Sequence, residues 1–489
     1  MHSTRPIALW SLREDVLLET AASGVVLLTR WGEIRVDRPD PLVLETLRRM
    51  SFGPVNLDNV VPPDGDEAVR RRLAGLLDRL RYVVIRSIGL ADSGRPLLSV
   101  VPITPDAEFR PASVPAEGRL RLSRMATMRI QDGGLMVESP LAAHRVVVHH
   151  PLIGGVLAAL AAPATPTVVA AQARVPYDVV AEVVSHLVGA GMAVAEDSAT
   201  ARFAEDTDPA LRFWSPHELL FHARGRAGRG DGPPAPDGDE AVVKGPPPGP
   251  RIELYRPALP DLLAHDPPMT AVLEGRRSYH RFGADPVTAE QVGELLYRAA
   301  RLRALRPAGP GRPEGSDRPY PSAGELELYV IVDDGQGLPR AVYHYDPYGH
   351  ALTQVNATAA DVSDLLEACR VAGRLDRRPP VLMAITARFR LAGTHPGGGY
   401  AGTLRHAGVL QQSLCLVATA MGLAPCTVIA HDDERRARAL RLDWRVESTV
   451  GDFVVGTRPD QLRENANLVA VNDPDWARRG QEVIDSQLR

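Results

Sequence analysis

Several α+β domains in series are the fold class this sequence predicts, and three observations predict it. The chain has 489 residues, 44% of them hydrophobic, with a net charge of −4. That is enough to bury more than one core without a metal or disulfide staple. Period-two runs such as GVVLLTRWGEIRV, ending at Val36, are interleaved with helical-period runs such as PLVLETLRRM. The Pro-, Gly- and acid-rich stretch 228–251 has no apolar periodicity and reads as an exposed linker.

Composition excludes several classes of function. Cys369, Cys415 and Cys426 have neither CxxC nor zinc-ligand spacing, so buried free thiols, no metal site and a cytoplasmic location are expected. The N-terminus lacks a basic segment followed by a long apolar core, which argues against a signal peptide. No window approaches the roughly 18 apolar residues of a membrane span. The near-neutral charge argues against a nucleic-acid partner. Lys244 is the only lysine, and it stands in the linker stretch.

Each element before the linker follows from local pattern. Residues 1–97 read as strands (DVLLETA and the run ending at Val36), two helices (PLVLETLRRM, AVRRRLAGLLDRL) and the strand YVVIRSI. Residues 98–222 repeat the plan, with strands at LSRMATMRI, GLMVES and HRVVVHH, helices at PLIGGVLAALA and VPYDVVAEVVSHLVGAG, and the strand MAVAED. In the last helix Val179, Val180, Val183, Val184 and Leu187 recur at helical spacing, marking one apolar face. Both units therefore read as small winged-helix-like α+β domains. DNA binding is the ordinary use of that plan, but the presumed recognition helix offers Asp178 and Glu182 and no cation. Its β-edge suits an extended peptide added as a strand, and a purely structural role is the plainer alternative. The linker is expected over 223–251, and an α+β domain on one sheet over 252–489.

Three segments of that last domain carry candidate chemistry. Arg276-Arg277-Ser278-Tyr279-His280-Arg281-Phe282 sets three guanidinium groups and a hydroxyl near each other, a donor set for a phosphate; a solvated basic turn would look the same. In Arg318-Pro319-Tyr320-Pro321-Ser322-Ala323-Gly324, prolines fix the backbone while Ala323 and Gly324 permit close approach to a flat ligand; it also suits an ordinary turn before a strand. The helix Leu404–Leu423 holds Gln411, Gln412 and Ser413 among apolar residues, polar groups that a ligand or a helix contact would satisfy.

RRSxxRF, RPYPSAG before a strand, YHYDPxxHxL, a long AGxxxQ helix with ATAMGLAPC, and ESTVGDFVVG follow in one order over about 265–460. The series resembles the SagB-type dehydrogenases of the nitroreductase superfamily, enzymes of thiazole/oxazole-modified microcin and thiopeptide-like pathways. LRFWSPHELLFHARGRAGR (211–229) and GLMVESPLAAHRVVVHHP extend the likeness upstream.

The resemblance implies an FMN-dependent dehydrogenase that oxidises thiazoline or oxazoline rings of a ribosomally made peptide to azoles. Arg276, Arg277 and Ser278 would hold the FMN phosphate, His280 would face the flavin pyrimidine, Pro321, Ser322, Ala323 and Gly324 would line ring and ribityl chain, and Gln412 would lie close by. The implied partners are the precursor peptide (leader and azoline-bearing core), a cyclodehydratase and a second copy of the chain. The N-terminal units would be peptide-binding winged-helix modules. The family's Lys-Tyr pair before the long helix is missing, since 388–400 holds no lysine. His395 and Tyr400 are then the candidate bases. His280 replaces the usual Arg or Lys, and PSAGELELY is shorter than usual. These departures keep two alternatives open, a catalytically silent FMN scaffold that presents the peptide and a general NAD(P)H-dependent nitro or flavin reductase.

Overall fold

A computed structural model describes residues 5–21, 24–61, 66–92, 94–131, 133–224, 241, 243–306, 315–321, 324–392, 399–429, 434–460 and 475–487. The chain divides into two units, Met1–Asp231 and Gly232–Arg489.

The first unit opens with β1 (Pro6–Leu12), the hairpin strands β2 (Leu17–Ala21), β3 (Gly24–Thr29) and β4 (Gly32–Asp37), then α1 (Pro41–Phe52) and α2 (Glu67–Arg79). Next come β5 (Val84–Leu90), β6 (Pro96–Pro102), β7 (Leu120–Leu122), β8 (Thr127–Gln131), β9 (Gly134–Glu138) and β10 (His144–Val148). Helices α3 (Pro151–Ala159), α4 (Pro166–Ala173) and α5 (Tyr177–Gly189) follow, then β11 (Ala193–Ala195), α6 (Ala204–Thr207) and α7 (Pro216–Arg224). Asp40 and Asp66 cap α1 and α2 by accepting from Leu42 N and Ala68 N. Both helices turn apolar faces into a core with Leu27, Leu47, Leu73 and Leu77. The valine face expected on α5 is buried as read, in a second core with Leu98, Val100 and Val146.

The expected boundary at 97/98 is corrected by the structure. It falls inside β6, which pairs with β5 on one side and β10 on the other within a six-stranded sheet, β1-β5-β6-β10-β9-β8. The two cores share one sheet because β6 (PLLSVVP) is buried nearly throughout, and pairing both its edges satisfies backbone groups that burial would otherwise orphan. Its uniform apolarity and terminal prolines hide it from a period-two reading.

The second unit begins with β12 (Arg251–Glu253), α8 (Leu259–His265), α9 (Met269–Gly275), β13 (Val287–Thr288) and α10 (Ala289–Ala300). It continues through β14 (Ala304–Arg306), β15 (Gly315–Asp317), β16 (Leu326–Val332), β17 (Gly335–Gln336), β18 (Val342–Asp346), β19 (Ala351–Gln354) and α11 (Ala359–Ala372). The last elements are β20 (Val381–Arg388), α12 (Phe389–Ala392), α13 (Gly399–Ala420), β21 (Leu423–Val428), α14 (Glu434–Leu440), β22 (Glu447–Thr457) and α15 (Asp475–Gln487). Seven strands form one antiparallel sheet, β12-β19-β18-β16-β20-β22-β21. Alternate residues of β16 serve the two faces: Leu328 and Val330 join a core with α10 and α13, and Tyr329 and Ile331 one with α11 and α14.

The linker expectation is also revised. Residues 225–240 and 242 lie outside the described residues, but from Ala241 onward the stretch is tied to the second unit. The Ala241 carbonyl accepts from Arg388, Lys244 inserts its side chain, and Gln354 N donates to Pro250 O. Among the described residues no helix is long and apolar enough to cross a membrane, and no acidic, histidine or cysteine cluster suits a metal.

Two outcomes follow for the first unit. A fragment ending at residue 97 loses β6 and fails to fold, whereas 1–224 folds, as circular dichroism of the two would show. Burial holds the imidazoles of His144 and His186 down to about 4, even though Glu182 O accepts from His186. The unfolded chain therefore takes up protons first as pH falls, so stability is full above about pH 6.5 and declines toward pH 4. Urea midpoints at pH 7.5 and 5 should differ in that direction.

Candidate functional site

The arginine-serine segment begins where α9 ends, and β21 positions it. Tyr279 N donates to Pro425 O at 2.9 Å, and Tyr279 and Phe282 anchor the segment in the core beneath. The Ser278 hydroxyl hydrogen-bonds the buried Cys426 thiol while its residue stays exposed. The charge of Arg276 acts on Cys415 of α13, whose thiol burial still pushes up to about 11. All three cysteines are buried and free, as expected.

One cation of this cluster escapes sequence reasoning. Arg458, just past β22, lies close enough to Tyr279 that its charge, with those of Arg277 and Asp485, acts on the phenol, which burial raises. Arg458 pairs with Asp485 at 2.7 Å, and its Nε is buried with no hydrogen-bond partner among the described residues. The only signal in the sequence is an arginine closing an apolar strand, which is too common to single out.

The other motif lies elsewhere. Gly324, at φ +91°, enters β16 and its carbonyl accepts from Arg388 Nη2 at 2.6 Å, while Arg388 N donates to Glu325 O. Arg388 ends β20, opposite Glu447, whereas the Tyr279–Pro425 contact lies level with Val455, opposite Val381 at the other end of β20. Seven residues of strand separate these levels, roughly 23 Å at about 3.3 Å per residue. Within one protomer the two motifs therefore occupy opposite ends of the sheet.

Helix α13 runs the same length. Near its start His406 Nδ1 lies 2.6 Å from Glu325 Oε1, and near its end the Thr419 carbonyl accepts from Arg458. Gln411 turns inward and donates to Asp452 O at 2.9 Å, while Gln412 is exposed. Tyr400 is 48% exposed and meets the Phe389 ring edge-on at 5.7 Å, at the Gly324 end. His280 faces Gly373, with Nδ1 2.8 Å from that carbonyl. Pro321 is exposed; Ser322, Ala323 and His395 lie outside the described residues.

A buried polar cluster completes the Gly324 end. Glu447 accepts from Thr386 Oγ1 at 2.7 Å and from Lys244 Nζ, which also donates to the Tyr329 hydroxyl at 2.8 Å. Burial first, then the Glu447 charge, raises the Tyr329 phenol far above its usual range. Glu327 meets His344 at 3.1 Å and Arg388 Nε at 3.1 Å. Lys244 is thus no free linker residue: its ammonium reaches Tyr329 of β16 and Glu447 of β22.

Residues 273–457 match the nitroreductase family, and residues 120–231 match the family of the cyanobactin oxidase ThcOx. Methanocaldococcus jannaschii MJ1384, a nitroreductase by name, is 24% identical over 40% of this chain and 92% of its own length. Distant likenesses among solved structures include a protein described as a nitroreductase from Ralstonia eutropha, 22% identical over 45% of this chain and 98% of that one, TM-score 0.34. Another is the Escherichia coli microcin synthetase McbBCD complex with truncated pro-MccB17 bound, 21% identical over 36% of this chain and 66% of that one, TM-score 0.30. The sheet, the helix packing and the 273–457 match define a protein of the nitroreductase superfamily. The cyanobactin-oxidase match lies upstream of that region, in keeping with the SagB-type resemblance of the sequence.

Lys244→Met should free the strap at 243–250 and leave the buried Glu447 carboxylate one donor short, costing about 1–3 kcal/mol. A lower urea midpoint with faster amide exchange confined to 243–250 and the start of β22 would register it.

Proposed function

We propose that the protein is an FMN-dependent dehydrogenase that oxidises azoline rings in a ribosomally made peptide, acting after a cyclodehydratase. The observation carrying this reading is a phosphate-type donor cluster inside a nitroreductase-family region, joined to an upstream cyanobactin-oxidase region. Arg276, Arg277, Ser278 and Arg458 fit a phosphate, since the unpartnered Arg458 Nε is the kind of buried donor an anion satisfies.

The two ends of the sheet belong to one site only if two copies combine. Leu404, Gly408, Val409 and Gln412 are exposed along α13, and Gly408 leaves open space for a close helix approach. Two such helices crossing antiparallel set the Gly324 end of one protomer against the Arg276 end of its partner. Pro321, Ser322, Ala323, Gly324 and Gln412 then line the flavin ring, with His280 near its rim. When bound, FMN supplies the two-electron acceptor. His395 or Tyr400 removes the ring proton, and the first unit's winged-helix-type modules hold the peptide.

The absence of a lysine from 388–400 favours one rival, a silent FMN scaffold. Purified protein incubated with an azoline-bearing peptide decides between them. A yellow dimer that removes two hydrogens per ring supports the reading; a yellow protein with no mass change supports the scaffold; rapid bleaching by NADPH alone supports a reductase. Arg276→Gln combined with Arg458→Gln should lower flavin occupancy at least about tenfold, as two charge-assisted contacts imply.

A further inference from the structure

A groove of about 840 Å³ on the first unit lies between β1 and α2. One wall is a strand edge with an open stretch. Trp10 exchanges both outward backbone bonds with Val55, at 2.9 and 2.8 Å, and the strand period puts Ala8 and Pro6 on the same outward side. Ala8 is exposed, and among the described residues no strand pairs with β1 there. The floor is apolar, with Leu73 and Leu77 of α2 and Phe109.

Charge gives the groove its second character. Six arginines and four carboxylates line it. Arg86 stands apart from the rest: it sits on β5 opposite Trp10, and its guanidinium lies 3.3 Å from the Trp10 ring centroid. Among the described residues no carboxylate pairs with it, and burial alone lowers it to about 10. A desolvated guanidinium stacked on indole, with its fork unclaimed, is a carboxylate receptor awaiting an anion.

The geometry points to a docking site for an extended peptide of alternating apolar and acidic residues, which pairs with β1 at Ala8 and offers a carboxylate to Arg86. This assignment deepens the peptide-substrate reading and rests on it. A strand added outside β1 lies about 4.8 Å from it, within reach of a guanidinium already leaning over Trp10. Apolar residues on the alternate positions rest on Leu73 and Leu77. The excess of arginine makes the acidic sequence the complementary one.

The test uses the full chain and a fluorescein-labelled peptide of alternating leucine and glutamate, its leucine-glutamine counterpart, and a single-stranded oligonucleotide, read by anisotropy. The glutamate peptide should bind at least about tenfold tighter than the glutamine one. Arg86→Gln should erase that difference, Arg86→Lys should retain part of it, and Ala8→Pro should weaken both peptides by removing the edge N–H. Equal affinity of the two peptides for the wild-type protein overturns the proposal, with no need for any variant to fold. Oligonucleotide binding that displaces the peptide, or discrimination surviving in a folded Arg86→Gln variant, overturns it too. Binding is read without flavin, so a colourless or inactive protein that still discriminates the peptides sinks the oxidation reading alone.

Discussion

The antiparallel register of β20 with β16 and β22 is the constraint on which the candidate site depends. Seven residues of paired strand hold the Arg276–Ser278 segment and Gly324 at opposite ends of the sheet. Paired on both edges and buried on both faces, β20 has no freedom to shorten that span. No loop motion within a protomer brings the ends together, so a shared ligand requires a second copy. Helix α13 lies along the same axis and leaves an exposed stripe containing Gly408, the kind of surface that an antiparallel copy covers.

The Gly324 end is built from charges rather than from an apolar cap. Arg388 gathers two pieces of chain, donating to Ala241 O and to the adjacent Gly324 O and Glu325 O through its side chain and backbone. Glu447, Lys244, Thr386 and Tyr329 close the space beside it. Buried charges of this kind do little for net stability, because desolvation offsets much of the attraction. They do specify position: the strap before β12 and the turn before β16 are held relative to one another, and both border the proposed flavin ring.

The first unit solves a different problem. Two cores form on separate sets of helices, yet β6 pairs both ways and makes one sheet of them. That arrangement buries the inner edges and leaves β1 outermost, closed at Trp10 by Val55 and, among the described residues, open at Ala8. An open edge is a liability unless something binds there, and the groove beside it carries the charge and apolar floor that a peptide strand requires.

The sequence by itself determined the α+β class, the valine face of α5, the long helix α13, the buried thiols and the Arg276–Ser278 cluster, because each is a local pattern of period, turn chemistry or composition. The order of five motifs was enough to place the chain in its superfamily. Only the tertiary structure decided that Arg458 lies beside the Arg276–Ser278 segment, that Lys244 sits in a buried cluster with Glu447 and Tyr329, that β6 joins the two cores, and that the two motif halves lie apart. Each of these depends on strand register and on side chains meeting across large sequence separations. Local periodicity carries no information about either, since a strand reads the same whichever neighbour it pairs with.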